Sequence, residues 1–433
     1  MSSSSSAAWR SSKTHEAVTV SGRVAPAVRS VDVVVIGDGP AGTALAAACH
    51  RLGVDVVLVG ADEPWTATYA TWIDDLHGVD LPGITDMLET QLDAVWVHAD
   101  EAIEVALAYG VFDNEALRRG LRAGIDHVVE QVRSVLPVDS GGGQRVIVDS
   151  GAELAARLVI DAAGWPPSFA ERLDDSPPAW QTALGVVLAE PPEGDLARPT
   201  LMDFRAVRPD RRGEGSPSVG PAGVTTFCYS LPVVDGWLVE ETVLAARPAV
   251  EPLALLPRLA ARLGRHTDDV LADAIRTEYV RIPMGGSRPV LDQPVVAFGA
   301  AAGYVHAATG FSVAASLRAA PRVAAAIAAG LGAGSVEHRA VAEAVWPAGL
   351  RRSRVLHDYG LDLLLRLDDD EVREFFGAFF GLPLEQVRRY LRIDTPPHEV
   401  AAVMARLFSS VSWPMRRRLA SGNPAAFARL LRP

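Results

Sequence analysis

The sequence predicts an α/β protein: a parallel-sheet dinucleotide-binding unit, a β-sheet domain inserted into it, and a helical C-terminal region. Three observations predict this. A β-branched run, Val31 to Ile36, passes through a glycine-rich turn into helical spacing and then into a second apolar run, Val54 to Val59. A late strand, Pro294 to Phe298, leads through its own glycine-rich segment into an Ala-rich helix, Phe311 to Leu331. Between them, Gly223 to Leu231 and Trp237 to Ala245 carry strand character, and beyond Glu343 apolar residues recur at helical spacing.

The first element is the most specific. Gly37-Asp38-Gly39-Pro40-Ala41-Gly42 fits GxGxxG directly between a strand and a helix. Gly37 permits the tight turn, Gly39 lets the main chain approach a pyrophosphate, and Gly42 lets helix and strand pack closely; Pro40 and Ala41 open the helix whose N-terminus faces the phosphates. The acid that should bind the ribose hydroxyls about 20 residues later is missing. Gly60 holds that position, and Asp62, two residues on, is the candidate in its place.

A hairpin pair, Gln144 to Val148 and Ala156 to Ile160, ends in Asp161-Ala162-Ala163-Gly164, a small-residue turn where backbone can approach a ligand. The late segment adds Gly299, Gly303, Thr309 and Gly310. Together these resemble the second and third contact segments of the glutathione-reductase-like flavoproteins, which a simple NAD dehydrogenase lacks, so the resident dinucleotide is expected to be FAD in a Rossmann-like fold. The expected division is a disordered lead-in (1–30), the FAD-binding domain in two parts (31–165 and 286–335), a substrate domain (166–285) and the helical region (336–433).

Composition bounds the rest. The chain has 433 residues, nearly half apolar, enough for a multi-part enzyme. A formal charge of -12 without basic blocks argues against nucleic-acid binding. Cys49 and Cys228 make no disulfide framework, no Cys/His cluster suggests a metal, and a reducing cytoplasm is the expected setting. No window offers the roughly 20 uninterrupted apolar residues of a membrane span. The stretch from Trp346 onward carries 14 Arg against 10 acids, with Trp413 just before Arg416-Arg417-Arg418, a pattern suited to an anionic lipid surface or, equally, to a solvated helix.

Several motifs carry a narrower resemblance. Ile282-Pro283-Met284-Gly285-Gly286, followed by Gly299 through Phe311, resembles the IPMGG and G-x-x-AG-x-VHP-x-TGY segments of the lycopene cyclases of plants, cyanobacteria and bacteria. Trp237 through Thr242 resembles their FLEET motif, and Tyr69 through Asp75 their YGVWVDEF. Gly60 and Ala300 depart from the acids that flavoproteins commonly place there, although the cyclases also lack the second.

The resemblance implies redox-neutral, acid/base cyclisation of the ψ end group of lycopene or a related carotene. It implies reduced FAD without net turnover, NADPH as reductant, contact with other carotenoid-pathway enzymes, and work at the cytoplasmic surface of a membrane. The candidate catalytic residues are Glu240, Glu241 and His306. Adjacent strand residues point to opposite faces, so one glutamate alone faces the pocket, and Glu240, first acid of the motif, is expected there with a raised pKa. His306 titrates in the range of a proton shuttle and equally suits a structural bond to a loop carbonyl. Trp72 reads as a cation-stabilising aromatic or a core residue, with Asp74 close to it in sequence, and Phe375, Phe376, Phe379 and Phe380 read as helix packing. The competing readings are an FAD-dependent monooxygenase, an isoprenoid reductase, and a carotenoid carrier without catalysis.

Overall fold

A computed structural model describes residues 28–138, 143–207 and 223–421. The expected lead-in lies outside these residues up to 27, and its end is already structured: the first strand, Arg29–Ile36, pairs from Arg29 onward with Leu154 onward.

The first sheet has seven strands. Asp126–Val129, Val56–Gly60, Arg29–Ile36, Glu153–Asp161 and Val295–Ala297 run parallel in that order. Gln144–Val148 and Val132–Pro137 extend the first half of Glu153–Asp161 as an antiparallel meander. The parallel strands are near-continuous apolar runs because helices cover them. Pro40–Arg51 and Val313–Gly332 pack together on one face, and Val33, Leu45, Leu58, Ile160, Val323 and Ile327 share the core beneath them.

The second sheet is also seven-stranded: Arg276–Met284, Ala179–Leu188, Gly236–Val243, Thr226–Val233, Thr200–Asp203, Val95–His98 and Ala102–Val105. Its last two strands come from before residue 165, so the sheet reaches across the expected domain boundary. Thr200–Asp203 holds them by parallel pairing with Val95–His98. One face packs on the helix Leu256–Leu263 through Val239, Val243 and Leu259. The other packs on the C-terminal helices, where Leu238 and Phe227 meet Phe375, Phe376, Phe379 and Phe380. The helix Asp369–Phe380 that carries these phenylalanines starts at a reciprocal cap, Asp368 accepting from Glu371 N and Glu371 from Asp368 N.

Candidate active site

Four parallel strands end level with one another. Ile36 lies opposite Val59 and Asp161, and Asp161 opposite Ala297. Ligands of open α/β sheets bind just beyond such carboxyl ends. The glycine loop follows Ile36, Asp161 opens its small-residue turn, and the late glycine segment follows Ala297, so the three expected cofactor segments meet there.

Their approach depends on missing side chains. A Cβ on Gly37 (φ 101°) would stand 2.5 Å from Ala162 O, and one on Gly299 would stand 2.5 Å from Ala41 Cβ. By contrast, nothing lies within 4 Å of the place a Cβ would take on Gly39 or Gly164. That open space adjoins the N-terminus of Pro40–Arg51, whose first N–H groups have no side-chain cap. It is the form of cradle a pyrophosphate requires.

The other expected cofactor residues divide. Asp161 turns its carboxylate inward, accepting from Ala163 N at 3.1 Å, Phe169 N at 2.7 Å and Ala170 N at 3.0 Å, so it builds the turn. Ala163 N is thereby committed to that turn. Gly303 packs under the buried Arg354, whose guanidinium donates to its carbonyl. Thr309 Oγ1 is buried without a partner, and Thr309, Gly310 and Ser312 line a cavity at the uncapped start of Val313–Gly332. An orphaned hydroxyl beside free helix N–H groups suits a polar ligand edge carrying negative charge. Asp62 directs its carboxylate to Arg118 and Arg122. Asp38, Asp62 and His127 have metal-ligand spacing among the described residues, but these guanidinium groups already supply the positive charge.

The cavity encloses about 440 Å³, and Tyr109, Tyr229, Phe227, Phe376 and Phe379 form part of its wall. Glu240 lies in that wall. Its strand alternates, so Leu238, Glu240 and Thr242 face the cavity while Val239, Glu241 and Val243 face the helix Leu256–Leu263. Glu240 accepts from Thr242 Oγ1 at 2.8 Å. Burial, with the like charge of Glu278 adding to it, pushes the Glu240 carboxyl up to about 8, so it is mainly protonated at neutral pH.

Glu241 has a different task. Fully buried on the opposite face, it accepts from Arg258 Nε at 2.8 Å and Arg262 Nε at 2.9 Å, and from the Thr226 hydroxyl. It ties the sheet to the helix and does not reach the cavity. His306 is buried behind the cavity wall: Nε2 donates to Tyr390 O at 2.9 Å, and Nδ1 accepts from Ala308 N at 3.3 Å. Burial lowers its pKa to about 4, so the ring is neutral and both nitrogens hold the loop. Of its two expected readings, this geometry fits the structural bond to a carbonyl. Trp72 is buried outside the cavity and backs Tyr109 edge-on at 4.9 Å between ring centroids. Asp74 lies near Arg388, away from the lining.

The phenylalanine stripe does more than pack its helix, since all four residues line the cavity. Sequence reasoning passed over Tyr109, Tyr229 and Glu278. Tyr229 lies opposite Glu240 in the sheet register, and its hydroxyl meets that of Tyr109 at 3.2 Å. Nothing in a single sequence specifies that register; alternation within Thr226–Val233 would have offered Tyr229 only as one face or the other.

Comparison with known proteins agrees with this architecture. Over 90% of this chain and 100% of the other, the fold matches the crystal structure of a geranylgeranyl bacteriochlorophyll reductase-like protein from Thermoplasma acidophilum, with TM-score 0.65 and 14% identity. A probable FAD-dependent monooxygenase from Pseudomonas aeruginosa matches over 80% of this chain and 98% of its own, with TM-score 0.53 and 17% identity. At these identities the likenesses show the fold. Among sequences, an uncharacterized carotenoid cyclase of Deinococcus radiodurans is 36% identical over 413 residues, covering 93% of this chain and 96% of that protein. The chloroplastic lycopene beta cyclase of Arabidopsis thaliana is 30% identical over 421 residues, covering 93% and 82%. The profile described as "Lycopene cyclase protein" matches residues 32–417, nearly all of the described chain, and the protein belongs to the lycopene cyclase family.

Proposed function

We propose that the protein closes a β-ionone ring on the ψ end group of lycopene or a related acyclic carotene, with Glu240 as proton donor and FAD in the adjoining cleft. The observation that carries this reading is a single neutral carboxyl set in an apolar, aromatic-walled cavity beside a dinucleotide cradle. Ring closure adds one proton to a terminal alkene, forms a carbon–carbon bond as the internal alkene attacks the cation, and loses one proton. Formula and oxidation state are unchanged, which makes the enzyme an intramolecular lyase of the isomerase class.

The residues divide the work. Glu240 delivers the first proton; an apolar cavity keeps water from quenching the cation, and the aromatic rings of Phe227, Phe376 and Phe379 in its wall supply π density that favours it. Thr242 fixes the carboxyl rotamer. Gly39 and Gly164 would leave the pyrophosphate of FAD its approach, Gly37 and Gly42 keep the loop close-packed beside it, and Thr309 with the start of Val313–Gly332 would hold the ring end. Bound and reduced, FAD would supply negative charge next to the cationic end group, with NADPH as the external reductant. No helix among the described residues is long and apolar enough to cross a membrane. We place the enzyme at the cytoplasmic surface of a bilayer, where a long hydrocarbon resides and where other carotenoid-pathway enzymes meet it.

Expression in a host that accumulates lycopene tests this reading. The expected result is loss of the acyclic absorption pattern and a product of unchanged mass with one or two rings. Unconverted lycopene would overturn it. A mass gain of oxygen or of two hydrogens would establish the monooxygenase or reductase reading instead.

A further inference from the structure

At the end of Val56–Gly60, where a dinucleotide-binding sheet ordinarily presents an acid to the ribose, this chain has Gly60. The place is not vacant. A Cβ built on Gly60 would lie 2.2 Å from Asp38 Cγ and 2.4 Å from Asp38 Oδ1. The side chain of Asp38, second residue of the glycine loop, therefore occupies the volume that a side chain at position 60 would enter. We infer that Asp38 is the ribose-binding acid of the FAD site, supplied from the glycine loop because the strand end has given up its own. The inference rests on the reading that the cleft holds FAD.

The surroundings fix this carboxylate for the task. Its polar contacts fall on one oxygen: Oδ2 accepts from Asp62 N at 2.9 Å and Arg122 Nη2 at 2.7 Å, with His127 Nε2 at 3.4 Å. No hydrogen bond among the described residues falls on Oδ1, which faces the vacated side-chain position. Asp38 is thus oriented through one oxygen and left with the other to accept from a hydroxyl. Asp62, the acid suggested by sequence, is engaged elsewhere. It sits at φ 61°, unlike any other non-glycine described residue, and its carboxylate bridges Arg118 and Arg122. That bridge aims Arg122 at Asp38, so Asp62 is a positioning residue. The steric conflict also explains why both acids cannot coexist: a glutamate at 60 would collide with Asp38.

The test measures flavin affinity in the full-length apoprotein by calorimetry, using FAD and FMN in parallel. FMN lacks the adenosine ribose, so it separates a lost ribose contact from a damaged fold. Asp38→Ala and Asp38→Asn are expected to weaken FAD binding by roughly 10- to 100-fold, the range for losing a hydrogen bond to a charged group. FMN affinity should change little. Asp38→Gly combined with Gly60→Glu returns the acid to the strand end and is expected to restore most FAD affinity. Asp62→Ala should cost less than Asp38→Ala. FAD affinity untouched in Asp38→Asn, equal losses for FAD and FMN, or no recovery in the double variant would overturn the inference. Failure of the wild-type chain to bind FAD would instead overturn the cofactor reading itself.

Discussion

Glu240 and Glu278 flank Gly185 on the same face of the second sheet, each directly opposite it in register, which sets their Cα atoms roughly 10 Å apart across the strands. Glu278 is held by Thr68 N at 3.0 Å, by the Thr68 hydroxyl and by Arg276, and its charge adds to burial in raising Glu240. Cyclisation should therefore be constant through neutral pH and fall about tenfold per pH unit above pH 8, as Glu240 loses the proton it must give. Glu278→Gln removes the like charge and should move this alkaline limb down by roughly one pH unit. The measurement is a pH profile of turnover in both proteins; superimposable limbs would show that Glu278 does not tune Glu240.

Glu240→Gln and Glu241→Gln separate chemistry from architecture. The amide in Glu240→Gln cannot donate a proton, and turnover should drop by about 10²- to 10⁴-fold with FAD affinity intact. Retained turnover would remove Glu240 as the acid. The sign of its stability effect is set by the raised pKa. Between the ordinary glutamate value near 4.5 and about 8 the folded chain holds a proton that the unfolded chain releases, so wild-type stability declines as pH rises through that window. Glu240→Gln should cancel this decline and be the more stable protein at pH 8, by up to about 5 kcal/mol. Glu241→Gln should do the opposite, because it leaves Arg258 and Arg262 facing a neutral group in a buried site, a loss of about 3–5 kcal/mol. Urea unfolding at pH 6 and pH 8 distinguishes the two.

What was legible in the sequence was local. The glycine loop announces itself by spacing, the turn after Asp161 and the late glycine segment by their resemblance to flavoprotein segments, and strand alternation puts Glu240 and Glu241 on opposite faces while the motif chooses Glu240. What was not legible depends on register and long-range pairing. Val95–His98 joins the second sheet only because Thr200–Asp203 accepts it, about a hundred residues later. Helical periodicity marked the phenylalanine stripe as a buried face, but not that a cavity lies against it. The place over Gly60 is likewise filled from a different loop, which neither residue's neighbours in sequence disclose.

Gly185 is small for a reason the catalytic face makes plain. A Cβ there would lie 3.1 Å from Leu238 Cδ1 and 3.4 Å from Glu240 Oε2, tight even for alanine. Gly185→Val suits a strand backbone, yet its methyl groups extend into the space of the carboxyl and should displace it from Thr242. Turnover should fall at least about tenfold, the cost of a misplaced acid, while FAD affinity and the circular dichroism spectrum stay as in the wild type. Unimpaired turnover would mean that Glu240 acts from another rotamer.

The C-terminal corner carries the membrane reading on apolar residues more than on charge. Arg416 donates to Val411 O and Ser409 O, and Arg418 to Arg366 O with Glu371 nearby, so two of the three clustered arginines hold the corner together. Phe408 and Trp413, 41% and 69% exposed, project from it instead. Replacing both with serine should lower flotation with anionic vesicles by roughly tenfold or more, since each buried aromatic contributes about 1.5–3 kcal/mol. Unchanged flotation would remove this corner from the membrane contact. Point variants are required here. Truncation near Thr395 would strip Val400, Val403, Leu407, Met415 and Leu419 from the core that also holds Phe375 to Phe380. The resulting loss of binding would report an opened cavity wall rather than a lost membrane contact.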